Sequence, residues 1–252
     1  MYPQHRKPSR PVLVVIAHGS RDPRHAATVH ALVRRVRSLR PGVRVETGFL
    51  DFNIPSVHGV LESLAAEGVR DVVALPLLLT RAFHAKADIP AVLREAPAQL
   101  RIRQAEVLGP APLLLTALER RLYEAGLTPA DRSSTGVVLA SAGSTDPEAI
   151  AVIAEIAREW RRTGWCAVRP AFASASLPRT EDAVRELRAL GCARVAVAPY
   201  VLAPGFLPDR IARGAAEADV LADVLGPAPE VARLLLDRYD TARMPALAAV
   251  GA

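Results

Sequence analysis

The sequence has few of the residues that stabilise small secreted proteins or hold metal clusters. It contains only 2 cysteines, Cys166 and Cys192, and no Cys-x-x-Cys pair. This spacing favours neither an iron–sulfur cluster nor a structural zinc site, so we expect two reduced, buried thiols. Aromatic residues make up only 4% of the chain and are not interleaved with lysine and arginine clusters. A stacking surface for single-stranded nucleic acid is therefore not expected.

Long hydrophobic runs are also missing. The longest apolar run, 72–79, has the length of a strand and not of a membrane span, so we expect no membrane partner. The first ten residues lack the apolar core of a secretory signal, which predicts a cytoplasmic protein. Acidic residues are outnumbered, since 32 Lys and Arg face 26 Asp and Glu for a net charge of +6. Such an excess fits a polyanionic small molecule; salt-sensitive DNA binding is the other reading, and we expect no nucleic-acid partner.

Strand-like apolar runs alternate with helical patterns along the whole chain. The predicted strands are 12–17, 43–50, 72–79, 104–108, 137–140, 167–173, 195–201 and 220–225. The predicted helices are 23–39, 55–67, 89–95, 112–125, 147–162, 179–190, 208–218 and 229–239. This β-α order predicts an α/β fold with mainly parallel sheets and helices on both faces.

The second half of the sequence repeats the first. Ala-His-Gly-Ser-Arg-Asp-Pro at 17–23 returns as Ser-Ala-Gly-Ser-Thr-Asp-Pro at 141–147. Three further blocks, which begin at 45, 72 and 108, return in the same order at 168, 195 and 225. We therefore expect an internal duplication with two homologous flavodoxin-like or Rossmann-like lobes and an active cleft between them. The expected boundaries are a disordered tail 1–10, a first lobe 11–126, a linker 127–135, a degenerate second lobe 136–242 and a flexible tail 243–252.

One histidine follows the first strand directly. The apolar run 12–17 breaks at Gly19, and Ser20, Asp22 and Pro23 are typical of the start of a helix. His18 should therefore stand at the carboxyl end of a strand, which is where ligands bind in open α/β sheets.

The repeat separates structural residues from chemically capable ones. The glycine and the Asp-Pro pair occur in both copies, but His18 aligns with Ala142, Asp51 with Ser174 and His84 with Leu207. We interpret the three first-lobe residues as one site that the second lobe lacks. Two imidazoles and a carboxylate suit iron, cobalt, nickel or zinc. Zinc hydrolysis is the rival chemistry, but the sequence has no His-Glu-x-x-His motif.

These motifs carry a family resemblance. His-Gly-Ser-Arg at 18–21, Phe-Leu-Asp at 49–51, Pro-Leu-Leu-Leu-Thr at 76–80 and His-Ala-Lys-Ala-Asp-Ile-Pro at 84–90 resemble the class II chelatases, and more closely the sirohydrochlorin cobalto- and ferrochelatases of the CbiX type. The duplicated form with a degenerate second lobe is similar to the long members. The resemblance implies insertion of Fe2+ or Co2+ into sirohydrochlorin, for siroheme or cobalamin biosynthesis.

The resemblance also implies roles for single residues. His18 and His84 match the family's metal-handling histidines, and an imidazole can accept a pyrrole proton near neutral pH. Asp51 stands where close relatives often have glutamate, so it either reaches the metal or orients a histidine. The candidates for the substrate's carboxylates are Ser20, Arg21, Thr80 and Lys86. The alternative roles are a helix cap for Ser20 and ordinary surface charges for Arg21 and Lys86.

Several further expectations complete the prediction. No tightly bound cofactor is expected, because the metal is a substrate. Fe2+ is favoured over Co2+, since the chain has no His-rich tract and no cluster cysteines. His25, His30 and His58 lie in predicted helices, where we expect them to be solvated or partly packed and not catalytic. A duplicated chain replaces a dimer of single lobes, so a monomer is plausible; the alternative function is a non-catalytic tetrapyrrole or metal carrier with the same pocket.

Overall fold

Two four-stranded parallel sheets form the frame of the protein. The computed structural model describes residues 10–81 and 87–244. The strands of the first lobe are β1 (Val12–Ala17), β2 (Val45–Phe49), β3 (Asp71–Pro76) and β4 (Arg101–Gln104), in the sheet order β2-β1-β3-β4. Those of the second lobe are β5 (Thr135–Ser141), β6 (Ala167–Phe172), β7 (Arg194–Tyr200) and β8 (Val220–Leu221), in the order β6-β5-β7-β8.

Helices alternate with these strands. They are α1 (Pro23–Leu39), α2 (Val57–Ala66), α3 (Ile89–Arg94), α4 (Pro112–Glu124), α5 (Pro147–Arg161), α6 (Thr180–Ala189), α7 (Phe206–Gly214) and α8 (Pro229–Arg243). A 3₁₀ helix, Pro129–Ser134, connects the lobes. The prediction of two homologous parallel α/β lobes is confirmed. The predicted tails, 1–10 and 243–252, lie almost entirely outside the described residues, although α8 continues through Arg243.

The central strand of each lobe is fully buried. All residues of β1 and of β5 are buried, as expected for an apolar run with neighbouring strands on both sides and helices on both faces. Helix α1 begins where the sequence predicts, because the Asp22 carboxylate accepts a hydrogen bond of 2.9 Å from the Arg24 amide. Pro23 occupies the first helical position, where no amide hydrogen is needed.

One strand prediction was wrong. The fourth strand was expected at 104–108, but β4 runs from Arg101 to Gln104. It is an edge strand that pairs with β3 alone, and most of its side chains are exposed, so it shows no apolar run. The run that follows, with Ala105, Val107 and Leu108, is buried in the core without forming a strand.

The last helix of each repeat packs against the other lobe. Helix α8 contacts α1 and β3, and the Tyr239 hydroxyl donates a 2.7 Å hydrogen bond to the Pro11 carbonyl. Helix α4 contacts β7 in return, and Arg121 donates a 3.0 Å hydrogen bond to the Leu225 carbonyl. Buried residues of both lobes therefore join in one hydrophobic cluster. This exchange holds the two sheets together and fixes the space between them.

The two cysteines both lie in the second lobe. Neither forms a disulfide, and their sulfur atoms are 3.7 Å apart. Cys192 is buried as expected, but Cys166 is exposed, so the prediction of two buried thiols was half wrong. Cys166 stands just before the edge strand β6.

Within 10–81 and 87–244, no helix is long and apolar enough to cross a membrane.

Candidate functional site

A cleft of about 530 Å³ separates the carboxyl ends of the two sheets. In each lobe the strand order reverses between the first and third strands, which are neighbours in the sheet. Open α/β sheets bind ligands at this point. The first lobe lines the cleft with the segment after β1 and the segment after β3, and the second lobe with the corresponding segments after β5 and β7. The first-lobe lining is Ala17, His18, Gly19, Ser20, His25, Leu77, Leu78, Leu79 and Thr80.

The turn after β1 is held tightly against the turn after β2. Gly19 has a φ of 95°, and a β-carbon there would overlap the carbonyl oxygen of Asp51. The Asp51 amide donates a 2.9 Å hydrogen bond to the His18 carbonyl. Gly143, with a φ of 93°, meets the Ser174 carbonyl in the same way in the second lobe. The glycine that recurs in the repeat is thus a requirement of the backbone, and it fixes where His18 stands.

His18 lies on the cleft wall and is half-buried. Its Nδ1 atom is 3.2 Å from the Gly19 carbonyl oxygen, a hydrogen bond that only a protonated Nδ1 donates. When the ring is neutral, this bond requires the proton on Nδ1 and leaves the lone pair on Nε2. An Nδ1–H bonded to a backbone carbonyl is the usual arrangement of a metal-binding histidine.

The ring of Phe52 connects His18 with Arg21. Its centroid is 6.3 Å from that of the His18 ring and 5.2 Å from the guanidinium carbon of Arg21. Phe52 has a φ of 61°, unusual for a residue other than glycine, and its side chain is half exposed. The predicted binding residue Arg21 is exposed and lies beside the cleft rather than in its wall.

Asp51 lies next to the cleft but is not part of its lining. Its side chain is exposed, and its carboxylate accepts a 2.8 Å hydrogen bond from the Phe52 amide. The backbone bond to His18 is the direct link between these two predicted site residues in the described structure.

Ser20 and Thr80 both lie in the cleft wall. The Ser20 hydroxyl accepts a 3.1 Å hydrogen bond from the Asp22 amide, so it supports the start of α1. Ser144 makes the same bond, of 3.0 Å, to the Asp146 amide in the second lobe. A serine that keeps its bond in both lobes has a structural role, whatever else it binds.

Two predicted site residues, His84 and Lys86, lie outside the described residues. The second-lobe counterpart of His84 is Leu207, and it lines the cleft. Within 10–81 and 87–244, no three His, Cys, Asp or Glu side chains are grouped closely enough to hold a metal ion.

His25 was not among the residues predicted for the site. This residue lies in the first turn of α1, is half-buried and lines the cleft together with His18. Burial lowers the pKa of His25, and the nearby His18 lowers it further, against a smaller opposite effect of Asp22. Both effects favour the neutral imidazole. Its counterpart in the repeat, Ala149, was a signal that could have revealed it.

The second-lobe wall of the cleft is mostly apolar. Ala142 occupies the position of His18, and Leu207 and the largely exposed Phe206 come from the start of α7. The other apolar residues of this wall are Ala149, Ile150, Ile153, Phe172, Val201, Leu202 and Ala203. The cleft thus offers imidazoles on one side and a hydrocarbon surface on the other, an arrangement that suits a flat, largely apolar ring.

Comparisons with known proteins agree with this division. The CbiX family model matches residues 12–125 and again 136–242. A sirohydrochlorin cobaltochelatase of Priestia megaterium is 30% identical over 206 residues, which span 79% of this chain and 66% of that protein. A sirohydrochlorin ferrochelatase of the same organism is 26% identical over 79% of this chain and 76% of its own length.

Solved structures share the fold. The structure of SirB from Bacillus subtilis with Fe3+ superposes with a TM-score of 0.80 at 24% identity, over 93% of this chain and 96% of SirB. The structure of CbiX described as the terminal enzyme of siroheme biosynthesis in denitrifying bacteria gives a TM-score of 0.68 at 20% identity, over 92% and 99% of the two chains. The two-lobe architecture is therefore that of known chelatase structures.

Proposed function

The chain belongs to the CbiX family, and from this premise we propose that it is a sirohydrochlorin chelatase, a lyase-class enzyme that inserts a divalent metal ion into sirohydrochlorin. The observation that carries the proposal is the placement of His18. It stands at the strand-order reversal of the first lobe and faces the cleft, while the second lobe has Ala142 at the same place. The family match covers both lobes, so one functional site per duplicated chain is expected.

His18 supplies the groups that metal insertion needs. Two pyrrole N–H protons must leave the macrocycle as the metal enters it. The Nε2 lone pair of His18 binds an incoming Fe2+ or Co2+ with moderate strength, so the ion can pass on to the four ring nitrogens. An imidazole also accepts a released proton near neutral pH.

We assign His84 the role of the second metal-handling imidazole. Its motif and the cleft position of its counterpart Leu207 support this assignment. The bond from the Asp51 amide to the His18 carbonyl is structural, because the Ser174 amide makes the same bond to Ala142. Asp51 is proposed to act through its carboxylate, which either reaches the metal or orients a histidine.

The substrate's eight carboxylates are expected to lie toward the edge of the cleft. Ser20 and Thr80 in the wall, Arg21 beside Phe52 and Lys86 are the proposed contacts. The net charge of +6 raises the local concentration of such a polyanion. The apolar second-lobe wall packs against the face of the ring and excludes water from the insertion site.

The physiological metal is the one, Fe2+ or Co2+, that the protein inserts faster. Fe2+ is the metal that the sequence analysis favours, and relatives that act with cobalt and with iron both align with this chain. The product serves siroheme biosynthesis with iron or cobalamin biosynthesis with cobalt. A cytoplasmic monomer remains the expectation from the sequence.

The test is anaerobic metal insertion. Purified protein is mixed with sirohydrochlorin and Fe2+ or Co2+, and the change of the tetrapyrrole absorbance is followed against a protein-free control. A chelatase accelerates insertion of at least one metal in proportion to enzyme concentration. A carrier binds the tetrapyrrole without raising the rate, and that result would reject the enzymatic proposal.

A further inference from the structure

His25 is the second histidine of the described cleft, and no part of the proposed metal transfer uses it. It lies three positions into the chain of α1, next to the rim residue Arg24 and on the same wall as His18. A tetrapyrrole bound in this cleft next to His18 therefore also lies near His25. What this side chain does depends on which of its nitrogens is available.

The Nδ1 atom of His25 is enclosed by protein and finds no hydrogen-bond partner within the described residues. A buried N–H without an acceptor is rarer and more costly than an acceptor without a donor. The neutral ring therefore carries its proton on Nε2, the nitrogen that remains for the cleft. His18 has the opposite tautomer, with its proton on Nδ1.

The repeat shows that the fold does not need this imidazole. Ala149 occupies the equivalent position 124 residues later, lines the same cleft and is buried. The helix start around it is unchanged, since Asp146 caps α5 as Asp22 caps α1. His25 thus belongs with His18, Asp51 and His84, the chemically capable residues that the second lobe has lost.

We propose that His25 is a substrate-binding residue whose Nε2–H donates a hydrogen bond to a carboxylate substituent of the tetrapyrrole. The inference rests on the proposed chelatase function and deepens it. With opposite tautomers, the two histidines have different tasks: His18 offers a lone pair to the metal and His25 offers a donor to the ring's periphery.

Three variants separate hydrogen bonding from shape. His25→Phe keeps a ring but has no donor, His25→Gln keeps an N–H donor, and His25→Ala copies the side chain that folds at this position in the second lobe. His30→Phe is the matched control, because His30 is exposed on the same helix and is not part of the cleft wall.

The primary readout is binding of metal-free sirohydrochlorin, followed by its absorbance change, with steady-state insertion kinetics as the second. We expect His25→Phe and His25→Ala to weaken binding about tenfold and to raise KM by a similar factor, because one hydrogen bond to a charged group is lost. His25→Gln should recover most of the affinity, and kcat should change by less than about threefold in all three variants.

Two outcomes contradict the inference and differ from failure of the proposed function. If the wild-type protein inserts metal and His25→Phe binds sirohydrochlorin as tightly as the wild type, His25 is not a substrate-binding residue and the chelatase proposal stands. If His25→Gln loses as much affinity as His25→Phe while circular dichroism shows both to be folded, the donor role is rejected. If the wild-type protein binds no tetrapyrrole, the function and the inference are both rejected.

Discussion

Arg24 of the first lobe and Asp209 of the second form an ion pair of 2.6 Å. Arg24 also pairs with Asp22 at 2.6 Å. Arg24 is next to His25 in the sequence and Asp209 is next to Pro208, and both of these neighbours line the cleft. The contact therefore crosses the rim of the cleft. It joins α1 to α7, two helices whose first turns contribute residues to the cleft wall.

Removing the negative charge at this rim should favour a polyanionic substrate. We expect Asp209→Asn to lower KM for sirohydrochlorin roughly two- to threefold at low ionic strength, the size typical of one exposed charge. The difference should vanish in about 1 M salt, where the Debye length is about 3 Å. Asp237→Asn, which changes an exposed carboxylate of α8 outside the cleft wall, is the control. An equal effect of both substitutions would show that net charge, and not the rim, decides KM.

Gly109 of the first lobe lies against Tyr200 of the second. A β-carbon at this position would overlap the Leu79 carbonyl oxygen and the Tyr200 hydroxyl. Gly109→Ala should therefore lower the free energy of unfolding by about 1–3 kcal/mol, the usual cost of overpacking. Urea unfolding measures the change. Gly59→Ala, within α2, is the control. Its β-carbon would lie 3.3 Å from the Ser56 hydroxyl, which can move slightly, so the substitution should leave stability unchanged or raise it.

Tyr239, on the last helix of the second repeat, should make the free energy of unfolding depend on pH at alkaline values. Its hydroxyl is hydrogen-bonded to Pro11, so Tyr239→Phe should cost about 1 kcal/mol at neutral pH. Burial also raises the pKa of Tyr239 above its ordinary value of 10.0. A raised folded pKa means that its stabilising effect is complete below pH 10 and is lost as the pH rises through the folded value.

Urea unfolding at pH 8 and at pH 10.5–11 tests this effect. The wild-type protein should lose more stability between these conditions than Tyr239→Phe does. Equal losses would mean that Tyr239 ionises as readily in the folded as in the unfolded chain.

The two thiols should differ in reactivity. Burial raises the pKa of Cys192, and the neighbouring Cys166 thiol raises it further, so less thiolate is present at pH 8. Cys166 is exposed. Iodoacetamide should label Cys166 first, and the Cys166→Ser variant should react at least tenfold more slowly in the native state than after unfolding. Peptide mass spectrometry over time measures both rates; equally fast labelling of Cys192 would contradict the structure.

The sequence was sufficient to predict the two lobes. The alternation of apolar runs indicates strands and helices locally, and the repeated blocks show that the second half has the same order of elements as the first. The edge strand β4 was misplaced, since a strand with one neighbour and an exposed surface has no apolar signal. The exchange of α4 and α8 was not foreseen, because helix periodicity shows which face is buried but not which lobe covers it.

The candidate site was predicted in part for the same reason. A histidine after a buried strand, such as His18, has a position that local sequence determines. His25 lies in the first turn of a helix, where periodicity alone does not distinguish solvent from a cleft whose other wall comes from residues more than a hundred positions away. Comparing every residue of 17–25 with 141–149 would have shown that Ala149 replaces it.

The most direct test of the account is the initial rate of metal insertion by His18→Ala, measured anaerobically beside the wild type. His58→Ala is the control, because His58 is exposed on α2 and pairs with Glu62. The account predicts at least a hundredfold lower kcat for His18→Ala with unchanged thermal unfolding, and wild-type rates for His58→Ala. A His18→Ala protein that inserts Fe2+ or Co2+ at the wild-type rate would contradict it.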